Sequence, residues 1–175
     1  VNTPAPDPGT FGNGEWFVAC YRGNNFNTYF GNYREPLLTF DSRNRWNDGT
    51  TPSNASGYTG GCVVPNDQHS VIYRRTNFAC GYYQIDITNH DDYSYLYING
   101  TLVSQKLFCC TSQNNVWRGF LGPTSTVEFR WREFGGGSHG GLRFTNIGTS
   151  QSPITSPATV TICQGSSTNI TTTGL

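Results

Sequence analysis

The chain is a series of short runs of aromatic and β-branched residues, each closed by glycine, asparagine or proline. Examples are EWFVACY, SVIYRR (70–75) and GYYQIDIT (81–88), while YLYI leads through Asn99 and Gly100 into TLVSQKLFCC. No stretch of ten residues or more has the 3.6-residue periodicity of an amphipathic helix. Asn-Gly between two such runs is the strongest short signal of a β-hairpin. Many short strands predict an all-β domain, either an antiparallel sandwich or a barrel.

One run also predicts which of its side chains are buried. In STVEFRWREF, apolar residues alternate with charged ones: Val127, Phe129 and Trp131 (or Phe134) against Glu128, Arg130 and Arg132. A period of two is typical of a strand with one face on the core.

Composition divides the 175 residues into four parts. Residues 1–10 form a Pro-rich entry segment, and 11–148 form the β-domain, within which 41–67 is predicted to be a long surface loop. Residues 149–157 are a Ser/Thr/Pro linker. Residues 158–175 contain ATVTICQGSST, which resembles the opening of immunoglobulin-like repeats, and are expected to be the truncated start of such a domain.

The charge pattern excludes two classes of partner. Eleven basic and eleven acidic residues give a net charge of zero. A nucleic-acid binder needs a basic face, and an electrostatic membrane module needs basic clusters. No apolar run approaches the eighteen or so residues of a membrane span, so we expect neither nucleic-acid binding nor membrane insertion.

Six cysteines in a polar chain without a C-x-x-C pair indicate disulfides and an oxidising, extracellular compartment. The neighbours Cys109 and Cys110 are expected to pair with different partners, since a bridge between adjacent residues is strained.

Sequence motifs of enzymes are missing. The chain has no G-x-S-x-G, H-E-x-x-H or P-loop, and its three histidines fall in separate segments. We therefore expect a binding or structural role and no enzymatic activity.

Asp91 and Asp92 stand between a predicted strand and the Asn-Gly hairpin. Two adjacent carboxylates repel each other unless solvent screens them or a cation compensates them. Calcium takes several oxygen ligands, including carboxylates and backbone carbonyls. The pair is therefore either a solvated turn or a calcium site.

The segment GYYQIDITNHDDYSYLYINGTLV resembles the central signature of the protective-antigen-type (PA14) β-sandwich domain. GEWFVACYRGNNF, SVIYRRTNFACGYY and STVEFRWREFGGGSHGGLRF resemble other stretches of that family in the same order. The likeness covers about residues 11–147, and the vicinal cysteines are similar to those of the flocculin adhesins in this family. It implies a two-sheet antiparallel β-sandwich, often used as a lectin module in surface adhesins.

The resemblance also implies a site. In sugar-binding members the two aspartates are joined by a cis peptide bond and bind one calcium ion, which takes sugar hydroxyls. Asp91 and Asp92 match that pair, and residues 135–141 match the second loop, where backbone carbonyls of Ser138 and His139 complete the metal site. Tyr93 stands where many members have glycine, and the second loop lacks the asparagine ligand of flocculin-type members.

The ligands of such a site are expected to be cell-surface glycans or polysaccharides. Pyranose rings pack on aromatic faces, and four aromatic residues near the loops are candidates for such a contact: Tyr93, Trp117, Phe134 and Trp46. Trp117 is favoured because SQNNVWRGFLGP is typical of a polar loop around one aromatic residue. His90 and Gly137 lie beside the matched metal loops and complete the predicted sugar contacts.

Three hypotheses follow. The first is a calcium-dependent lectin module of a secreted or cell-surface adhesin, monomeric within a longer multidomain chain. The second is a structural spacer or protein-interaction domain with the same fold and no sugar site. The third is an accessory domain of a carbohydrate-active enzyme. Fold alone does not choose among them, because function depends on the site.

Overall fold

The computed structural model describes residues 6–148, which form two β-sheets facing each other. Its strands are β1 (Gly12–Asn13), β2 (Trp16–Arg22), β3 (Thr28–Glu35), β4 (Phe40–Asp41), β5 (Thr59–Gly60), β6 (His69–Thr76), β7 (Gly81–Asp91), β8 (Tyr93–Ile98), β9 (Thr101–Lys106), β10 (Gln113–Leu121), β11 (Val127–Glu133) and β12 (His139–Gly148). Two short 3-10 turns, Ser42–Asn44 and Pro52–Asn54, interrupt the loop after β4. No helix of the described part is long and apolar enough to cross a membrane. The predicted linker 149–157 and second domain 158–175 lie outside the described residues, as do residues 1–5.

The larger sheet has the order β5-β3-β2-β6-β11-β8-β9, with β1 pairing in parallel at the end of β6. The smaller sheet has the order β10-β7-β12-β4 and is antiparallel throughout. The predicted two-sheet antiparallel sandwich is therefore confirmed, and the chain crosses directly from the smaller sheet to the larger one where β7 ends and β8 begins, which is one of several crossings.

The core lies between the two sheets and is rich in aromatic rings. From the larger sheet, Trp16 and Tyr73 are fully buried, and the ring of Tyr73 stacks on Phe40 of the smaller sheet with centroids 4.1 Å apart. Ile85 and Leu142 supply aliphatic surface from the smaller sheet. Burying such apolar area is the main favourable term for a domain of this size.

Most predicted strands are present, and the hairpin has the expected turn. EWFVACY falls on β2, SVIYRR on β6 and GYYQIDIT on β7. Asn99 and Gly100 both have positive φ, of 49° and 78°, as the tight turn of a two-residue hairpin requires. Strand β3 was not predicted, and the loop predicted around Trp117 is wrong, because Trp117 lies within β10.

The alternation along β11 is confirmed and extends one inward position beyond Trp131, to residue 133. Val127, Phe129 and Trp131 are fully buried, and the next inward position is Glu133, also fully buried. Phe134 is exposed instead. A carboxylate thus ends the row of core side chains.

The entry segment contacts the domain through Asp7. Its carboxylate accepts a hydrogen bond from the hydroxyl of Tyr21 and lies 2.9 Å from Nη2 of Arg74. Arg74 is nearly buried and also bonds Glu128 at 2.8 Å. Asp7 therefore forms one end of an ion-pair network on the outer face of the larger sheet.

Replacing Asp7 is expected to destabilise the fold. Asp7→Ala should lower the free energy of unfolding by about 1–3 kcal/mol, because it leaves a nearly buried guanidinium with one carboxylate fewer. Urea denaturation measures this. Glu15→Ala is the control, since its ion pair with Arg34 is solvent-exposed and should change stability by less than about 1 kcal/mol. Equal effects of the two variants would contradict the docking of this segment.

Candidate functional site

Asp91 and Asp92 lie where the chain passes from the smaller sheet to the larger one. Asp91 is the last residue of β7, and Asp92 separates it from β8. The peptide bond between them is cis, which is the geometry that the resemblance implies. The backbone N–H of Asp92 donates to the carbonyl of Arg132 on β11 at 2.8 Å. This bond fixes the turn to the neighbouring strand.

A third carboxylate, Glu133, completes an acidic cluster at this end of the sandwich. Carboxylate oxygens of Asp91, Asp92 and Glu133 lie within 4.8 Å of one another. No group among the described residues forms a hydrogen bond of ordinary geometry with the fully buried carboxylate of Glu133, although the nearby backbone of Gly135 partly offsets the rise in its pKa. A buried carboxylate without partners is costly, so Glu133 either takes up a proton or has a cation bound beside it.

Glu133 is not among the site residues that the sequence predicts. The signal was present, because counting two residues on from Trp131 gives 133 as the next inward position. The alternative of Phe134 in that row hid it.

The pKa values of the cluster reflect its crowding. Burial, followed by the charges of Asp92 and Asp91, raises the pKa of Glu133 to about 8. Burial and the neighbouring Asp92 raise the pKa of Asp91 to about 6. Both shifts have the sign expected when carboxylates share a site without a counter-charge.

The glycine-rich loop approaches the cluster through His139, which pairs in register with Asp91. Nδ1 of His139 lies 2.9 Å from Oδ1 of Asp48, and the N–H of Ser138 donates to the carbonyl of Asp48 at 3.1 Å. A Cβ on Gly137 would lie 3.0 Å from Oδ1 of Asp48, so a side chain there would require Asp48 to shift. Asp48 comes from the long loop 41–67 and was not predicted, because no local pattern connects it to the site.

The hydroxyl of Ser138 is directed into the core. It accepts a hydrogen bond from Nε1 of Trp131 at 3.3 Å and lies 2.8 Å from Nε2 of His69. Ser138 is 1% exposed, and its hydroxyl is engaged in the core. A metal contact from its backbone carbonyl stays a prediction.

His90 lies beneath the aspartate pair and not on its surface. Its ring is fully buried, and Nδ1 donates to the carbonyl of Asp92 at 2.9 Å. Burial lowers its pKa, so the neutral ring is favoured. The predicted sugar contact by His90 is therefore wrong in its placement, and the side chain instead supports the turn.

Of the two predicted aromatic contacts, the structure brings one to the site. Tyr93 follows Asp92, and its ring lies 4.9 Å from that of Phe134, whose N–H donates to Oδ2 of Asp92 at 3.0 Å. Trp117 instead pairs with Ile85, six residues before Asp91, or roughly 20 Å along the strand. The long-loop Trp46 is buried and donates to the hydroxyl of Tyr33. The aromatic face beside the cluster is thus Tyr93 and Phe134.

Cys109 and Cys110 depart from the expectation of separate partners. Their sulfur atoms contact each other across a cis peptide bond, which brings the two Cα atoms to 3.3 Å. The sulfur atoms lie 2.9 and 3.1 Å from Oδ1 of Asp91. Cys80 is also disulfide-bonded. Cys109 and Cys110 thus border the acidic cluster through their contacts with Asp91.

The start of β12, next to His139, requires a glycine at position 140. A Cβ on Gly140 would lie 2.5 Å from Cε3 of the fully buried Trp131. Gly140→Ala should therefore cost about 1–3 kcal/mol or more in unfolding free energy. Gly135→Ala is the control, because its Cβ would meet nothing within 4 Å. Thermal unfolding compares them, and an unchanged Gly140→Ala protein would contradict the close packing of this loop.

Comparison with known proteins identifies the fold. No family model matches the sequence, and no curated protein matches it. Among solved structures, the PA14 domain of the antifreeze protein MpAFP superimposes with a TM-score of 0.54 at 12% identity, over 84% of this chain and 89% of that one. The fold is that of a PA14 domain.

Two adhesin structures share the PA14 fold. The PA14 sugar-binding domain from an RTX adhesin has a TM-score of 0.51 and 13% identity, over 76% of this chain and 91% of that one. A subtype-switched epithelial adhesin 9 A domain from Candida glabrata, in complex with β-lactose, has a TM-score of 0.52 and 9% identity, over 86% and 90%. At these identities the likeness establishes the fold alone.

The PA14 fold also occurs as part of longer proteins. An anti-sigma factor domain-containing protein from Clostridium clariflavum matches with a TM-score of 0.50 and 14% identity, over 80% of this chain. This chain spans 44% of that protein's length.

Proposed function

We propose that this domain is a calcium-dependent carbohydrate-binding module of a secreted or cell-surface adhesin. The observation that carries the proposal is Glu133, a fully buried carboxylate beside Asp91 and Asp92 whose oxygens lack a hydrogen bond of ordinary geometry. Three carboxylates at one point need positive charge, and an ion bound there would supply it. The role is binding, with no catalytic step assigned to the domain.

Calcium fits the donor set better than other common metals. The cluster consists of oxygen donors, and calcium accepts six to eight of them in flexible geometry. Carboxylates of Asp91, Asp92 and Glu133 would hold the ion, and backbone carbonyls of Ser138 and His139 would add to them. Bound at the edge of the sandwich, the ion would exchange water for sugar hydroxyls. The sulfur atoms of Cys109 and Cys110 are softer donors and would be poor calcium ligands.

The proposed ligand is a cell-surface glycan or polysaccharide. Asp91 and Asp92 are partly exposed, so an ion on them is open to solvent. The rings of Tyr93 and Phe134 offer an apolar surface beside it, with Gly137 at the opposite loop. The RTX adhesin domain is named as sugar-binding and the epithelial adhesin holds β-lactose, which supports a galactoside as the first ligand to test. One such domain would act as a monomeric module within a longer chain.

A glycan array tests the proposal. The wild-type protein should bind a defined set of glycans in calcium and lose that binding in EDTA. Binding that persists in EDTA would contradict the role of the metal. No binding in either condition would favour the spacer or protein-interaction role. Binding to a polysaccharide that an enzyme degrades, and to no cell-surface glycan, would favour the accessory role.

A further inference from the structure

The outer face of β11 has a row of charged residues that leads to the acidic cluster. Glu128, Arg130 and Arg132 alternate with the core residues, and Phe134 follows on the same side. Arg132 is opposite Tyr93 on β8 and Ser70 on β6. Neither neighbour carries a negative charge, so the sheet gives Arg132 no cross-strand ion pair.

The other arginines of this face have carboxylate partners. Arg130 pairs with Glu128, and Arg74 pairs with Glu128 and Asp7. Arg132 has no ion pair within residues 6–148, and its buried Nε has no hydrogen-bond partner there.

Aromatic rings hold the Arg132 guanidinium in place. It lies 5.3 Å from the ring centroid of Phe26 and 5.2 Å from that of Tyr95. Phe26 has a φ of 60°, a strained value for a bulky residue, and its N–H donates to Ser70. The ring stacking orients the guanidinium and leaves its hydrogen-bond donors unused.

Arg132 also borders the proposed sugar site. Its carbonyl accepts from Asp92, and its cross-strand neighbour Tyr93 forms the aromatic surface with Phe134. Cross-strand Cβ atoms lie about 5 Å apart, so a sugar on that surface would come within reach of the guanidinium.

We propose that Arg132 selects acidic glycans, whose carboxylate or sulfate group would bind its guanidinium while the sugar hydroxyls occupy the proposed calcium site. A planar guanidinium forms paired hydrogen bonds with either group. This inference rests on the proposed function and specifies the chemical class of its ligand.

The test is a glycan array in calcium and in EDTA, printed with neutral galactosides and with their sialylated and sulfated forms. Wild-type protein should bind at least one acidic form about tenfold more tightly than its neutral parent. Arg132→Gln should lose that preference and keep its affinity for the neutral parent. Arg132→Lys should retain part of it, because the charge remains without the paired donors.

Arg130→Gln is the matched control, on the same strand and face, and it should leave the preference unchanged. Thermal unfolding of each variant confirms that it is folded. Calcium-dependent binding without an acidic preference, or a preference that survives in Arg132→Gln, would overturn this inference and leave the proposed function standing. Absence of any calcium-dependent binding would overturn both. The sialylated and sulfated arms show which anionic group is selected.

Discussion

Calcium is expected to raise the melting temperature of the wild-type protein by roughly 5–10 °C when its concentration is a hundred times its Kd. Binding only to the folded state at that ratio contributes about 2.7 kcal/mol, and a domain of this size gains about 2–4 °C per kcal/mol. The melting temperature of Glu133→Gln should rise much less on adding calcium, because the substitution removes one of three carboxylates from the cluster. The same change should stabilise the metal-free protein by about 1–3 kcal/mol, since an amide is cheaper to bury than a carboxylate without partners.

A gain in stability without calcium, together with a smaller rise in melting temperature on adding calcium, distinguishes a metal ligand from a purely structural residue. Glu128→Gln is the control on the same strand, because both of its oxygens bond arginines. It should destabilise the protein to the same extent with and without calcium. Differential scanning fluorimetry in calcium and in EDTA measures all three proteins. A Glu133→Gln protein that is less stable in EDTA and still gains as much from calcium as the wild type would contradict the cluster's proposed role.

Asp91→Asn and Asp92→Asn are each expected to weaken calcium binding and glycan binding by about a hundredfold or more. Carboxylate charge sets the affinity of a calcium site, and an amide supplies one neutral oxygen in its place. The fold should survive, because an asparagine at position 92 can still accept the hydrogen bond from the N–H of Phe134. Isothermal titration calorimetry gives the calcium affinity, and the array gives glycan binding.

Asp67→Asn is the control for these variants. Asp67 accepts a hydrogen bond from the N–H of Gly136 in the glycine-rich loop but lies outside the cluster of three carboxylates. Its variant should keep most of the calcium affinity. Equal losses in Asp67→Asn and Asp92→Asn would indicate a general electrostatic effect and not direct ligation.

The sequence predicted the parts of this molecule that depend on local patterns. The alternation of Val127, Phe129 and Trp131 predicted the buried side of β11, and Asn99-Gly100 predicted the hairpin of β8 and β9, because both follow from neighbouring residues. Strand β10 was missed, since SQNNVWRGFLGP has polar residues on its exposed edge and was interpreted as a loop.

The candidate site was predicted only in part, because it is assembled from segments far apart in sequence. Asp91 and Asp92 were found as adjacent carboxylates in a familiar signature. Glu133 and Asp48 were missed because their positions depend on strand register and on the path of a long loop. His90 was placed on the wrong side of the turn, since adjacency in sequence does not show which way a ring points.

The central claim, that a bound calcium ion holds the glycan, is tested most directly by asking whether calcium and glycan strengthen each other's binding. Calcium is titrated into metal-free wild-type protein by calorimetry, with and without a saturating glycan chosen from the array. If the ion holds the sugar, the glycan should tighten calcium binding by the same factor by which calcium tightens glycan binding. One calcium per chain with this reciprocal gain is the predicted result. A calcium affinity that is the same with and without glycan would contradict the account.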